Sequence, residues 1–279
     1  MQGRDGTLNI GIIGTGNMGR ILIDSFIEAQ AVEPANITII NRTFAKAYHL
    51  KQKYPSIHIA SSIQEVIERS DLVLISVKPH EIYPILQENK DAFTPKQCLL
   101  SITSPISTTL LSSVVPCGVA RIIPSITNRA LSGISLCTFA CTKEWEEKLL
   151  LLFQHISHTV HIEENVTRVA SDIVSCGPAF FSYLLRRFID AAVAETLITE
   201  EQATELASGM LIGMGKLIEK QVFTLDTLQE KVCVKGGITG EGIAVMEAEL
   251  GDMFAHVFQK THSKYHEDIK TIHKQFKSY

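Results

Sequence analysis

Three short stretches of this sequence combine residue types that can hold a large anion. The first, Ile10-Gly11-Ile12-Ile13-Gly14-Thr15-Gly16-Asn17-Met18-Gly19, places GxGxxG at the junction of an apolar run and a helix-forming one. In that context Gly14 turns the chain tightly, Gly16 lets backbone approach a pyrophosphate, and Gly19 lets the helix pack on a sheet. The N–H groups at the helix start then face the phosphates. A glycine pattern alone can be a simple turn, but its place after the first strand predicts dinucleotide binding through Gly14, Thr15, Gly16, Asn17 and Met18.

The second stretch, Asn41-Arg42-Thr43, ends the next apolar run, where a carboxylate would grip the ribose 2′-hydroxyl of NAD. No carboxylate is present. A guanidinium between an amide and a hydroxyl matches a 2′-phosphate instead, so NADPH is the expected cofactor, with NADH as the alternative. The competing reading of Arg42 is a solvated loop cation. The third stretch, Ser76-Val77-Lys78-Pro79, follows another apolar run at the carboxyl edge of the expected sheet and borders the nicotinamide side. Lys78 is a positional contact there, not an acid or base, unless it only snorkels to water.

The elements that must position these stretches follow from the patterning of all 279 residues. At 45% hydrophobic and 20% charged content, the chain buries a substantial core and is not a disordered polymer. A net charge of −4 argues against nucleic acid as a partner. The six cysteines form no CxxC pair and read as small apolar residues of a reducing compartment. Without a signal-like start or a long apolar span, the chain is placed in the cytoplasm with no membrane partner.

Short, continuously apolar runs at 8–13, 37–40, 72–77, 98–102 and 119–123 predict strands covered on both faces. Helical spacing separates them at 17–28, 44–53 and 62–68, the last with a Ser62 cap and Glu65 three residues on. The expectation is an α/β fold: a Rossmann-type, doubly wound parallel sheet over 1–162 and an all-helical dimerisation domain over 163–279. Within the latter, helices are predicted at 166–197, broken at Gly177-Pro178, then at 200–220 and 241–259. Gly209, Gly213 and Gly215 in the second of these predict a closely packed neighbouring backbone. So few helices bury little alone, which predicts a homodimer, or a higher oligomer, through the C-terminal helices.

Taken together, Gly14-Thr15-Gly16-Asn17-Met18, Val77-Lys78-Pro79, Gly177-Pro178-Ala179 and Gly236-Gly237 followed by Thr239 make the whole chain resemble the pyrroline-5-carboxylate reductase family. Arg121 with Pro124 is a weaker fifth point of likeness. The resemblance implies a Rossmann domain, interleaved dimerisation helices, and NAD(P)H-dependent reduction of a cyclic imine acid to L-proline. Departures cluster on the substrate side. The family's usual Met-Pro-Asn-Thr-Pro is Ile123-Pro124-Ser125-Ile126-Thr127 here, its Ser-Gly-Ser-Gly-Pro is Val174-Ser175-Cys176-Gly177-Pro178, and Val234-Lys235 replaces its Ser-Pro. The chain thus resembles a divergent member, of the branch found with late-competence genes in bacilli.

Reducing a C=N bond needs close hydride approach, a site for the substrate carboxylate and a donor at the imine nitrogen. Gly236 and Gly237 precede a predicted helix whose N–H groups can hold a carboxylate. By resemblance Thr239 is the catalytic residue that hydrogen-bonds the ring nitrogen; its bland reading is a helix cap. Ser175, Cys176 and Pro178 would line the substrate pocket. Cys176 has no neighbour in sequence to lower its pKa, so it reads as a packed residue, not a nucleophile. His262 and His266 stand one helical turn apart but sit among lysines, which predicts a solvated basic helix and no metal site. Two other functions compete: a nucleotide-bound regulatory or competence-associated protein, and a 3-hydroxyacid dehydrogenase, for which the expected lysine is missing around Ser175–Phe181.

Overall fold

The computed structural model describes residues 8–277. The apolar runs form an eight-stranded sheet from β1 (Ile10–Ile13), β2 (Ile37–Ile40), β3 (His58–Ile59), β4 (Leu72–Ile75), β5 (Cys98–Ser101), β6 (Gly118–Ile123), β7 (Ile134–Ala140) and β8 (His158–His161). Their order is β3-β2-β1-β4-β5-β6-β7-β8, and every neighbouring pair is parallel except β6 with β7. This is the doubly wound Rossmann arrangement with two added strands, and β1 beside β4 is its topological switch point.

Alternation along each strand divides the core between the two faces of the sheet. Ile10, Ile12, Ile37, Ile39, Leu72, Leu74, Leu100 and Ile122 face one side and pack with α1 (Asn17–Glu28), α2 (Phe44–Lys53) and α6 (Lys143–Gln154) through Leu22, Phe26, Leu50, Leu149 and Phe153. Ile13, Val73, Ile75, Leu99 and Val119 face the other. There they meet α3 (Ile63–Glu68), α4 (Pro79–Asn89) and α5 (Thr108–Ser112) through Val66, Ile82, Leu86 and Leu111. Truncating one of these buried leucines to alanine costs about 2–5 kcal/mol.

The sequence continues with α7 (Thr167–Ser171), one π-helical turn (Asp172–Cys176), α8 (Gly177–Glu195), α9 (Glu200–Glu219), α10 (Leu225–Val232), α11 (Ile238–Leu250) and α12 (Met253–Lys277). The break expected at Gly177-Pro178 is instead a widened turn that lets the helix continue. Proline at 178 removes the N–H that would bond the Val174 carbonyl. Ser125 takes its place, its Oγ donating to that oxygen at 2.8 Å, while Ser175 Oγ donates to the Pro124 carbonyl at 2.9 Å.

Two compact units result. One comprises the described residues up to Pro178 together with those from Lys260 on; the other is Ala179–Gln259. The division thus falls later than 162/163, and the C-terminal segment returns to the sheet-bearing unit. Ile272 is 2% exposed in the core that faces α4, with Phe276 packed beside it. The helix expected over 241–259 is interrupted after Leu250 at Gly251, whose φ of 43° breaks the hydrogen-bond ladder.

The helical unit has a small core of Ile189, Ala203 and Ala207 and leaves Phe181, Tyr183, Phe188, Leu206, Met210, Ile212 and Val245 exposed. Apart from adjoining residues and the helix's own backbone, no described residue comes within 4 Å of a Cβ built at Gly209, Gly213 or Gly215, so the described residues do not supply the close backbone these glycines predict. Among the described residues no helix is long and apolar enough to cross a membrane.

Candidate functional site

The glycine motif forms the turn between β1 and α1. Gly14 has φ of +96°, and a Cβ on it would lie 2.5 Å from the Ser76 carbonyl oxygen; one on Gly19 would lie 2.4 Å from the Gly14 carbonyl oxygen. These two glycines are therefore structural. Gly16 differs: a Cβ there meets nothing within 4 Å, so its bare backbone opens onto free space at the N-terminus of α1. That is the cradle a pyrophosphate requires.

Asn41 fixes the turn from the neighbouring strand. Its Oδ1 accepts from the Thr15 N–H at 2.9 Å, and its Nδ2 donates to the Thr43 carbonyl at 3.0 Å. The Gly14 N–H donates to the Ile40 carbonyl and the Ser76 N–H to the Ile13 carbonyl, which ties the ends of β1, β2 and β4 together. Thr15 is buried, and its hydroxyl has no hydrogen-bond partner among the described residues.

Two cavities open along this carboxyl edge. The outer one, about 890 Å³, is lined by Gly14, Gly16, Asn41, Arg42, Thr43, Lys46, Ser76, Val77, Lys78 and Glu81, among others. The inner one, about 400 Å³, shares Gly16, Ser76, Val77 and Lys78 with it and adds Asn17, Met18, Thr103, Pro124, Arg168, Ser175 and Cys176. The shared residues make them one crevice at the switch point. Its outer half has the dimensions and donors for a dinucleotide, and Gly16 with the first turn of α1 fits its phosphates.

Of the residues expected at a cofactor, Thr15 and Pro79 do not line the crevice. Thr15 is held beneath the turn, and Pro79 starts α4 behind its Lys78 N-cap. Arg42 lines the outer half but is not free: its Nη1 meets Glu81 Oε1 at 2.5 Å. Burial pushes the Glu81 carboxyl upward, but the Lys78 N–H at 3.2 Å and the Arg42 cation outweigh it and hold the group below its ordinary value. Sequence spacing gave no sign of this pair.

On the inner wall Ser175 and Cys176 lie where expected, whereas Pro178 shapes the helix and does not line the cavity. Burial pushes the Cys176 thiol up, against the opposing effect of Arg168, whose Nη2 donates to Sγ at 3.4 Å. It stays a neutral thiol at neutral pH. Arg168 itself was missed by sequence reasoning. Its Nη2 bonds Asp172 Oδ1 at 2.8 Å, and Asp172 accepts from Thr261 Oγ1 at 2.7 Å, both acid oxygens being buried. His262 Nε2 lies 3.8 Å from Asp172, so this face of α12 is packed on the unit instead of solvated. Arg121, fully buried, pairs with Glu164 and bonds Thr167, Thr138 and the Ser104 carbonyl.

Gly236, Gly237 and Thr239 belong to the helical unit. Gly236 has φ of +75°, and Gly237 is the N-cap of α11. Thr239 is exposed in the first turn of that helix, past the capping position, so its hydroxyl is not the cap. Among the described residues no cluster of three or more His, Cys, Asp or Glu could hold a metal ion.

Comparison with known proteins places this geometry in a lineage. Residues 164–268 match the family model "Pyrroline-5-carboxylate reductase dimerisation", and residues 9–105 match "NADP oxidoreductase coenzyme F420-dependent". The chain is 54% identical to ComE operon protein 4 of Bacillus subtilis (strain 168) over 271 residues, covering 96% of this chain and 99% of that protein. It is 30% identical to pyrroline-5-carboxylate reductase 3 of the same organism over 270 residues, 95% and 98% of the two chains. In fold it resembles the Plasmodium falciparum pyrroline carboxylate reductase solved with NADP bound, at 19% identity and a TM-score of 0.80, covering 97% of this chain and 99% of that one. The Streptococcus pyogenes enzyme gives a TM-score of 0.81 at 20% identity, over 93% and 98%.

Proposed function

The chain belongs to the pyrroline-5-carboxylate reductase family of oxidoreductases, and from that premise we propose that it reduces 1-pyrroline-5-carboxylate to L-proline with NADPH. One observation carries the reading: a single crevice runs from Arg42 past the Gly16 cradle to a small cavity walled by Ser175 and Cys176. Gly14, Gly16, Asn17, Met18, Asn41, Arg42, Thr43, Ser76, Val77 and Lys78 would hold the cofactor, with Thr15 and Pro79 supporting them. When bound, the reduced nicotinamide supplies a hydride.

The protein's own residues bind and orient. The N–H groups at the start of α1 would hold the phosphates, and Arg42 would bind the 2′-phosphate in exchange for Glu81. At the start of α11 the amides around Gly236 and Gly237 hold the substrate carboxylate with the favourable end of the helix dipole. Thr239, whose hydroxyl has no capping duty, would donate a hydrogen bond to the imine nitrogen and so orient the C=N bond. The neutral Cys176 thiol and Ser175 shape the pocket without forming a bond to substrate. The exposed apolar side chains of the helical unit fit burial against a second copy, giving a homodimer. A cytoplasmic enzyme is the corresponding setting.

A second reading, an NADP-binding paralogue with a competence-associated or regulatory role or a different imine substrate, is favoured by the 54% identity to ComE operon protein 4. Steady-state oxidation of NADPH in the presence of 1-pyrroline-5-carboxylate separates them. The enzymatic reading expects turnover, with Thr239→Ala lowering kcat by about tenfold or more while NADPH affinity stays within about twofold. Intact NADPH binding with no turnover of any cyclic imine acid favours the second reading.

A further inference from the structure

We infer that Arg168 anchors the acidic group of the substrate and is the residue that sets the preference of this crevice for a carboxylate-bearing imine over a neutral one. The inference rests on the imine-reductase reading of the same crevice. In sequence Arg168 and Asp172 look like an ordinary pair one helical turn apart on a helix surface. In the structure the arginine side chain is 17% exposed and the aspartate 0%. A guanidinium kept at that depth needs compensation, and Asp172 gives it from behind: Asp172 does not line the cavity, whereas Arg168 does.

The arginine is also held in one orientation. Asp172 Oδ1 accepts from its Nη2, the Tyr265 ring lies 5.5 Å from its Cζ, and the Tyr265 hydroxyl is fixed by the Ser104 carbonyl at 3.1 Å. Asp172 is meanwhile shared with Thr261 Oγ1 at 2.7 Å and lies near His262, so its charge is not spent on Arg168 alone. A guanidinium carries five N–H donors. Among the described residues its Nη2 finds Asp172 and Cys176, while the buried Nε has no acceptor. Donor capacity is thus left over on a fixed fork.

The surroundings decide what the spare donors would meet. Among the described residues no aspartate or glutamate lines the inner cavity; the charged groups there are Arg168 and Lys78, with Thr103, Ser104 and Ser175 as polar neighbours and Val77 and Ile123 as apolar wall. A small apolar ring bearing one carboxylate complements that lining. A carboxylate has about four acceptor sites, and a planar guanidinium fills two of them at once, which lysine or a neutral side chain would not.

The test compares 1-pyrroline-5-carboxylate with 1-pyrroline, which lacks the acidic group, in the wild type, Arg168→Lys, Arg168→Gln and the double variant R168Q/D172N. The double variant guards against misfolding, because it removes both buried charges together. The wild type is expected to favour the carboxylate in kcat/KM by about tenfold or more, and both glutamine variants to lose most of that preference through KM, with Arg168→Lys intermediate. A binding readout runs beside it: L-proline should raise the Tm of the NADP-loaded wild type more than pyrrolidine does, and this difference should vanish in R168Q/D172N. Equal losses on both imines, or an undiminished preference for the carboxylate, would overturn the role of Arg168 while leaving the reductase reading intact. Failure of the wild type to reduce either imine, with NADPH still bound, sinks both.

Discussion

Arg42 and Glu81 are joined across the outer end of the crevice, although the arginine side chain is 86% exposed and the glutamate only 24%. The glutamate also accepts the Lys78 N–H, so it belongs to the first turn of α4 and cannot follow the arginine outward. A phosphate that recruits Arg42 must therefore compete with a fixed carboxylate.

Cofactor choice should respond to both partners. Glu81→Gln is expected to tighten NADPH by about two- to fivefold, the scale of an exposed ion pair, while NADH changes little. Arg42→Ala should weaken NADPH by about tenfold and spare NADH. Titration of the reduced nicotinamide fluorescence with both cofactors reads the ratio. A parallel shift for NADPH and NADH would show that the pair lies away from the 2′-phosphate.

The two glycines of the β1 turn should fail in different ways. Gly16→Ala adds a methyl group to open space, so Tm should stay within a degree or two while dinucleotide affinity falls by about tenfold or more. Gly14→Ala forces a side chain into left-handed backbone against the Ser76 carbonyl, and should cost about 1–3 kcal/mol of stability. Thermal unfolding and NADPH titration of the two variants check this, and a stable Gly14→Ala would contradict the packing described.

Acid stability has an identifiable contributor at the edge of the sheet. The Ser61 N–H, then His58, then the Ser61 hydroxyl hold the Glu65 carboxyl down to about 2 from an ordinary 4.5. Between those values the unfolded chain binds the extra proton, so stability rises with pH through this window and its contribution is complete above about 4.5. On acidification the wild type should lose stability faster than Glu65→Gln, measured as the slope of Tm between pH 5 and about 3. Equal slopes would remove Glu65 from the account.

Much of the sheet was legible because burial on both faces leaves uniformly apolar runs; β1, β2, β4 and β5 fall within those runs, and β6 starts one residue before its run. Helices α1 and α2 coincide with the spans their periodicity predicts. The two-residue β3 is too short to leave a pattern, and β8, His158–His161, is half-exposed and reads as polar. The crevice was legible where backbone geometry demands glycine. It was not legible where side chains distant in sequence meet: Arg42 with Glu81, or Arg168 and Asp172 with Thr261 and Tyr265. Each of those pairs is made by tertiary packing, and an i, i+4 spacing alone says surface, not interior.

Ile272 has a bearing on how the protein is made. A nascent chain emerges amino terminus first, so all eight strands leave the ribosome more than a hundred residues before the segment that seals one flank of their core. Until these residues have emerged, the groove that receives Ile272 and Phe276 stays open, and a chain cut before them lacks that wedge. Maturation of the sheet-bearing unit thereby waits on a segment made more than a hundred residues after its last strand.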